Sequence, residues 1–324
     1  MGGEKLQDQK GVVAITASEY SNMKDTHPPN EADRHDQSTA ETLGRRTAVP
    51  DLGKTTVFAS RHDPRFCYSL YVPPDFTSTD TAPELIVAVH DSSRGFLGYR
   101  DALAEFGRWN NCIILTPLFP ANVLGDDNRD GYKYIIEGPI RYDLLLLAIV
   151  DEVRHNYHLP PSPRFALFGF SGGGHFTHRF FLLHPHRLWA VSIGAPGSVT
   201  LLDPHRDWWV GTRDFQARFG GGGDDAAPGP DLAAMARVPV QMVVGKADLE
   251  TWEITHRKGD RYWMPGANDA GKTRPERLMR LRQSFEDAGI EVRFDLVSGM
   301  AHDGLRALET AKGFIAEILR TMRT

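Results

Sequence analysis

Phe165-Ala166-Leu167-Phe168-Gly169-Phe170-Ser171-Gly172-Gly173, midway along the chain, passes from an apolar run of strand length directly into a glycine turn. From His175 to Leu183 a helical pattern follows, carrying Phe176, Phe180 and Phe181. Between the two stands Gly-x-Ser-x-Gly. Gly and Ser are common in loops, so the bare pattern says little, but strand before and helix after is the context in which it has a mechanism. A serine on a sharp strand-to-helix corner holds its oxygen above the sheet, and its neighbours must be small because a side chain at Gly169 or Gly173 would collide with the adjoining strand or helix. The next amide, that of Gly172, sits at a helix N-terminus, where partial positive charge favours a developing oxyanion. A phosphate-binding glycine turn would also precede a helix. No Gly-Lys-Ser/Thr ending follows, however, and Phe170-Ser171 breaks the dinucleotide spacing.

A serine hydroxyl is a poor nucleophile alone; it needs a base, and the base needs an orienting acid. Downstream, the apolar run Val238 to Val244 ends in Gly245-Lys246-Ala247-Asp248. A carboxylate just past a strand end suits the acid, with Glu250 as the alternative. The run Val292 to Val297 ends in Ser298-Gly299-Met300-Ala301-His302, which places His302 in a loop before a closing helix. The chain order is thus serine, acid, histidine. Upstream, Leu85 to Val89 reads as a strand buried on both faces and is followed by His90-Asp91-Ser92-Ser93-Arg94-Gly95. The Ser92 amide, or that of Asp91, is expected to pair with Gly172 as an oxyanion hole, with His90 bracing the loop.

The rest of the chain alternates. Strands are expected at Thr55 to Ser60, Arg65 to Val72, Cys112 to Leu115 and Leu188 to Ile193. Helices are expected at Leu144 to Val153, around Leu278, Leu281 and Phe285, and from Leu305 to Met322 at three-to-four spacing. This rhythm predicts an α/β fold: a mostly parallel central sheet of about eight strands, helices on both faces. Residues 1–50, polar and poor in large apolar groups, read as a flexible arm, and 51–324 as the single catalytic domain. Two long insertions, about 197–236 and 250–273, interrupt the rhythm and suggest lid-like loops. They carry Trp208, Trp209 and Trp252, expected with Asp91 to wall a substrate pocket at the carboxyl ends of the strands.

Composition narrows the partners. A formal net charge of −5 argues against nucleic acid, which needs a basic surface. No apolar run approaches the 18 or so residues of a membrane span, and the polar first residues carry no signal-peptide pattern, so a soluble cytoplasmic protein is expected. Two cysteines, Cys67 and Cys112, read as reduced core thiols, with a disulfide the alternative. His175 and His178 are three apart, with no third ligand at matching spacing, and Asp126-Asp127-Asn128 with Asp130 lacks the later glutamate of a calcium loop. Neither a metal nor a cofactor is expected.

From about residue 55 to the end the chain resembles the α/β-hydrolase superfamily, in the manner of esterases and depolymerase-like hydrolases. The matching pieces are the nucleophile elbow at Ser171, Asp248 at its strand end, the late His302 and the His90 loop. Many relatives have His-Gly where this chain has His90-Asp91, a change that backbone donors tolerate. The resemblance implies a serine esterase with a catalytic triad, Ser171, His302 and Asp248, cleaving a carboxylic ester of a hydrophobic or aromatic small molecule. Peptidase or amidase, lactonase, thioesterase and acyltransferase chemistry fit the same residues, and a binding module that kept the fold is the non-enzymatic alternative.

Overall fold

The computed structural model describes residues 51–76, 82–160, 164–220 and 229–324; the expected arm at 1–50 lies outside them. An eight-stranded sheet forms the centre. In chain order its strands are β1 (Gly53–Ala59), β2 (Cys67–Val72), β3 (Glu84–Val89), β4 (Cys112–Leu118), β5 (Phe165–Phe170), β6 (Leu188–Gly194), β7 (Val240–Gly245) and β8 (Val292–Val297). Their spatial order is β1-β2-β4-β3-β5-β6-β7-β8. β2 runs antiparallel to both its neighbours, and every pairing from β4 to β8 is parallel.

The interior strands are apolar on both faces because helices cover both. All six residues of β5 and all seven of β6 are buried. The covering helices are α1 (Phe96–Trp109), α2 (Tyr142–Asn156), α3 (Gly172–Leu183), α4 (Arg274–Glu286) and α5 (Gly304–Arg323). Behind the sheet Phe119, Phe176 and Phe180 form an aromatic chain with ring centroids 5.4 and 5.7 Å apart. Each such buried ring contributes about 1.5–3 kcal/mol. α5 is capped by Asp303, whose carboxylate accepts the Leu305 and Arg306 amides, and α4 by a reciprocal Thr273–Glu276 box.

Two elements depart from the sequence reading. No helix was expected over 96–109, where α1 lies. Its apolar residues are diluted by Gly98, Gly107 and Arg100, and the arginine is itself buried, donating to Thr55 O at 2.9 Å and Ser69 Oγ at 2.8 Å. Arg100 also pairs with Asp101 at 2.8 Å, and a buried arginine is invisible to an apolar-periodicity rule. α3 also begins at Gly172, so the glycines read as a turn form its first turn. Cys67 and Cys112 are free thiols. Cys67 pairs with Leu118, at the end of β4 opposite to Cys112, about 20 Å away at strand rise. The insertion at 197–236 includes short helices at Phe215–Phe219 and Leu232–Met235, while that at 250–273 is a succession of turns. Both follow the carboxyl ends of strands, β6 and β7 respectively. Among the described residues no helix is long and apolar enough to cross a membrane.

Candidate active site

Ser171 occupies the corner between β5 and α3 at φ 55° and ψ −115°, a conformation that a non-glycine residue holds only when its surroundings impose it. Its amide donates to Gly194 O at 2.8 Å, and its carbonyl accepts from His175 N at 3.0 Å. The corner also needs its glycines. A Cβ on Gly173 would stand 2.2 Å from Val89 O, and one on Gly169 2.3 Å from Gly173 O. The helix therefore packs against the backbone of β3 and β5 at a separation no side chain permits.

Asp248 and His302 come from loops after β7 and β8, and backbone bonds join those loops. Lys246 N donates to Val297 O and Ala247 N to Met300 O, each at 2.9 Å. Asp248, fully buried, then accepts from His302 Nδ1 at 2.6 Å through Oδ2. A carboxylate only accepts, so Nδ1 carries a proton, and in the neutral ring the lone pair is on Nε2. The His302 ring rests on Phe170, centroids 4.8 Å apart. Glu250, the alternative acid, is exposed and makes no bond to His302. A residue the sequence reading missed completes this side. Arg274, the first residue of α4, is buried and donates from Nη1 to Asp248 Oδ1 at 3.0 Å and from Nη2 to Glu253 at 2.7 Å. Asp248 is thus held at both oxygens.

The loop after β3 faces Ser171 from the other side. His90 is wholly buried; desolvation pushes its pKa down to about 4, and it is neutral. Nε2 accepts the Phe119 amide at 3.0 Å and Nδ1 donates to Asp91 O at 2.7 Å, so the ring ties the loop to the end of β4. Asp91 accepts from the Ser93 amide at 2.9 Å and from its hydroxyl at 2.5 Å, and Arg94 grips Ser92 O at 2.6 Å. A Cβ on Gly172 would lie 3.0 Å from Ser92 Oγ and 2.1 Å from the hydroxyl of Tyr132, so Gly172 and the Ser92 side chain are neighbours and a buried tyrosine closes in on Gly172.

Ser171, His302, Ser92 and Asp91 line one cavity of about 370 Å³. Among the described residues the Ser171 hydroxyl forms no hydrogen bond. Such bonds are often loose without substrate. The far wall is built from Asp130, Lys133, Tyr134, Glu253, Ile254 and His256; the sequence places the acidic loop of Asp130 near the mouth of the site, and the other five were not expected from the sequence. Asp130 belongs to the acidic stretch 126–130, which is a brace. Its other members bond across the site, Asp126 to Arg261 at 2.6 Å and Asn128 to Glu137 and Tyr262 at 2.7 Å.

The three tryptophans are a correction. None lines the cavity. Trp208 is buried against Phe215 and Phe219, and Trp209 lies behind Tyr134 and His256 with its indole N–H on Tyr262 O at 3.0 Å. Trp252 is 68% exposed. In the first two, the apolar ring area is used to pack the insertion against the body of the domain. His175 and His178 are likewise structural. Each ring accepts a backbone amide, Gly197 at 2.7 Å and Thr200 at 3.0 Å, pinning the start of the insertion to α3.

No protein-family model and no curated protein sequence matches this chain. Solved structures do. The chain is similar to poly(aspartic acid) hydrolase-1 from Sphingomonas sp. KT-1 (TM-score 0.59, 21% identity, covering 76% of this chain and 92% of that one). It is similar to the poly(3-hydroxybutyrate) depolymerase LpqC from Bordetella parapertussis (TM-score 0.60, 19% identity, 79% and 87% covered). A ferulic acid esterase superposes with TM-score 0.54 at 16% identity over 82% of this chain and 99% of that one. The fold is that of the α/β-hydrolases.

Proposed function

We propose that this protein is a serine hydrolase that cleaves a carboxylic ester through an acyl-enzyme. The observation that carries the reading is the strained Ser171 sharing a cavity with His302, whose Nδ1 is bound to buried Asp248. In this reading Ser171 Oγ attacks the acyl carbon, and its proton passes to His302 Nε2. Asp248 orients the ring and stabilises its charged form. The oxyanion is held by the Gly172 and Ser92 amides, at the positive end of α3. The tetrahedral species collapses, His302 gives the proton to the departing alcohol, and water activated by His302 frees the acid. Hydrolase and esterase activities among structural neighbours accord with this chemistry.

A fluorophosphonate probe and a para-nitrophenyl ester test the proposal. Wild-type protein is expected to be labelled on Ser171 and to turn over the ester. Ser171→Ala is expected to lose labelling and at least about 10⁴-fold in kcat while keeping its melting temperature. Undiminished turnover in folded Ser171→Ala would sink it, and an unlabelled, inert wild type would favour a binding module.

A further inference from the structure

Around the cavity, positive charge is buried without negative partners. Arg179 and Arg277 are completely buried, and each guanidinium bonds only neutral acceptors. Arg179 donates to Thr200 Oγ1 at 2.9 Å, Ser198 Oγ at 3.1 Å and Lys133 O. Arg277 donates to Ile254 O at 2.7 Å, Gly271 O at 2.9 Å, Asn268 Oδ1 at 3.2 Å and Gly197 O. Lys133, Ile254 and Gly197 all line the cavity, so both cations stand directly behind its wall. Among the described residues neither has an ion pair.

Lys133 brings a third charge to the surface of the cavity itself. Its side chain is 13% exposed, and its one polar partner among the described residues is Asp130 Oδ1 at 2.7 Å, on a side chain 44% exposed. The ammonium therefore lies inside, its acid outside, and two of its three donor hydrogens have no partner. Of the carboxylates that line the cavity, Asp130 pairs with Lys133 and Glu253 with Arg274, while Asp91, on the loop after β3, accepts only from neutral donors, the Ser93 amide and hydroxyl and the Tyr99 hydroxyl. A buried cation without a counter-charge is expensive, and the titration of the neighbourhood reflects it. Desolvation pulls Lys133 down and takes Arg179 and Arg277 down to about 10. It lowers His256 to about 4, with Arg277 and Arg179 adding to the effect. These buried cations belong to a chain whose net charge is −5.

We infer that the substrate of the Ser171 site is an anionic ester, carrying a carboxylate that Lys133 binds within the field of Arg179 and Arg277. The inference rests on the hydrolase reading above. The carboxylate supplies an acceptor for the remaining Lys133 donors and negative charge beside two guanidiniums that have no ion pair among the described residues, and the ammonium, whose Cε would stand 3.1 Å from a Cβ on Gly172, is close enough to the nucleophile for a small diacid ester to reach both.

Two matched pairs of esters test it. One pair differs on the acyl side, para-nitrophenyl hydrogen succinate against para-nitrophenyl butyrate. The other differs on the alcohol side, para-acetoxybenzoate against para-tolyl acetate. In at least one pair kcat/KM is expected to favour the acidic member by about tenfold or more, with the preference shrinking as ionic strength rises. Lys133→Met is expected to cut that preference about tenfold, chiefly through KM, and Lys133→Glu to reverse it. If Ser171 labels with the fluorophosphonate and neutral esters are turned over as fast as acidic ones in both pairs, the inference falls and the hydrolase reading stands. A preference unchanged in folded Lys133→Met also overturns it. If wild-type protein neither labels nor hydrolyses any of the four esters, the hydrolase reading falls and takes the inference with it.

Discussion

The two walls of the cavity are built in opposite ways. The wall holding Ser171 and His302, with Asp248 behind it, hangs from strand ends of the central sheet: β5, β7 and β8 each deliver one residue, and backbone bonds between the last two loops fix their separation. The wall holding Lys133, Tyr134, Glu253 and His256 comes from the connection after β4 and the insertion after β7, held by side-chain bonds such as Asn128 to Tyr262 and by the 3.8 Å stack of Tyr134 on Tyr262. The first wall presents a reactive constellation that the sheet imposes. The second is held together by side chains. In the proposed reading, chemistry resides in the first and substrate choice in the second.

The comparison can be broken most severely on the first wall. Asp248→Asn leaves the shape intact but removes the acceptor that fixes the His302 tautomer, and kcat is expected to fall by about 10⁴-fold with KM little changed. A loss confined to KM would move Asp248 out of the catalytic machinery. Arg274→Met tests the join between the walls, since this side chain bonds both Asp248 and Glu253. With one carboxylate oxygen released, about 10²-fold in kcat is the expected loss. Equal activity in the folded variant would show that His302 and the loop backbone hold Asp248 unaided.

Four histidines make stability depend on pH. His90 and His256, each depressed to about 4, and His175 and His178, depressed by burial, are neutral in the folded protein. The unfolded chain binds protons to these groups as pH falls below about 6.5, whereas in the folded chain His90 and His256 resist until near 4 and burial holds His175 and His178 neutral well below 6.5. Their contribution is therefore present above about pH 6.5 and is lost progressively as pH falls below it, for His90 and His256 at roughly 1 kcal/mol per pH unit each down to about 4. Urea unfolding at a series of pH values measures the slope, and His178→Gln, which keeps a donor and an acceptor, is expected to flatten it. The smallest effect is expected at Trp252. This exposed ring lines neither wall, so Trp252→Ala should change stability by no more than about 0.5 kcal/mol and kcat/KM by less than about twofold. A larger loss would return the ring to the site.

Legibility in the sequence follows the same division. β3, β5, β6 and β7 were readable because strands buried on both faces are continuous apolar runs. Ser171 was readable because the close approach of α3 to β3 demands glycine at a set spacing, and Asp248 and His302 because the fold places such residues just after strand ends. Lys133, Tyr132, Arg274 and His256 were not readable. Tyr132, Lys133 and His256 lie in segments with no apolar period, Arg274 at the very start of a helix read only from Leu278 onward, and what makes each part of the site is a neighbour far away in the chain. The tryptophans misled for a related reason: a large ring in a long insertion is equally suited to walling a pocket or to filling the gap beneath the insertion, and only packing tells these apart.

By itself, then, the sequence determined the sheet, the corner at Ser171 and the order of acid and base, since these follow from local rules of periodicity, turn geometry and strand ends. Tertiary structure alone decided that Asp248 is gripped from both sides, that Trp208 and Trp209 lie in the core while Trp252 is exposed, and that Arg179 and Arg277 stand behind the cavity wall with no ion pair among the described residues. Burial and charge compensation depend on which distant segments meet, and no local pattern of residues encodes that meeting.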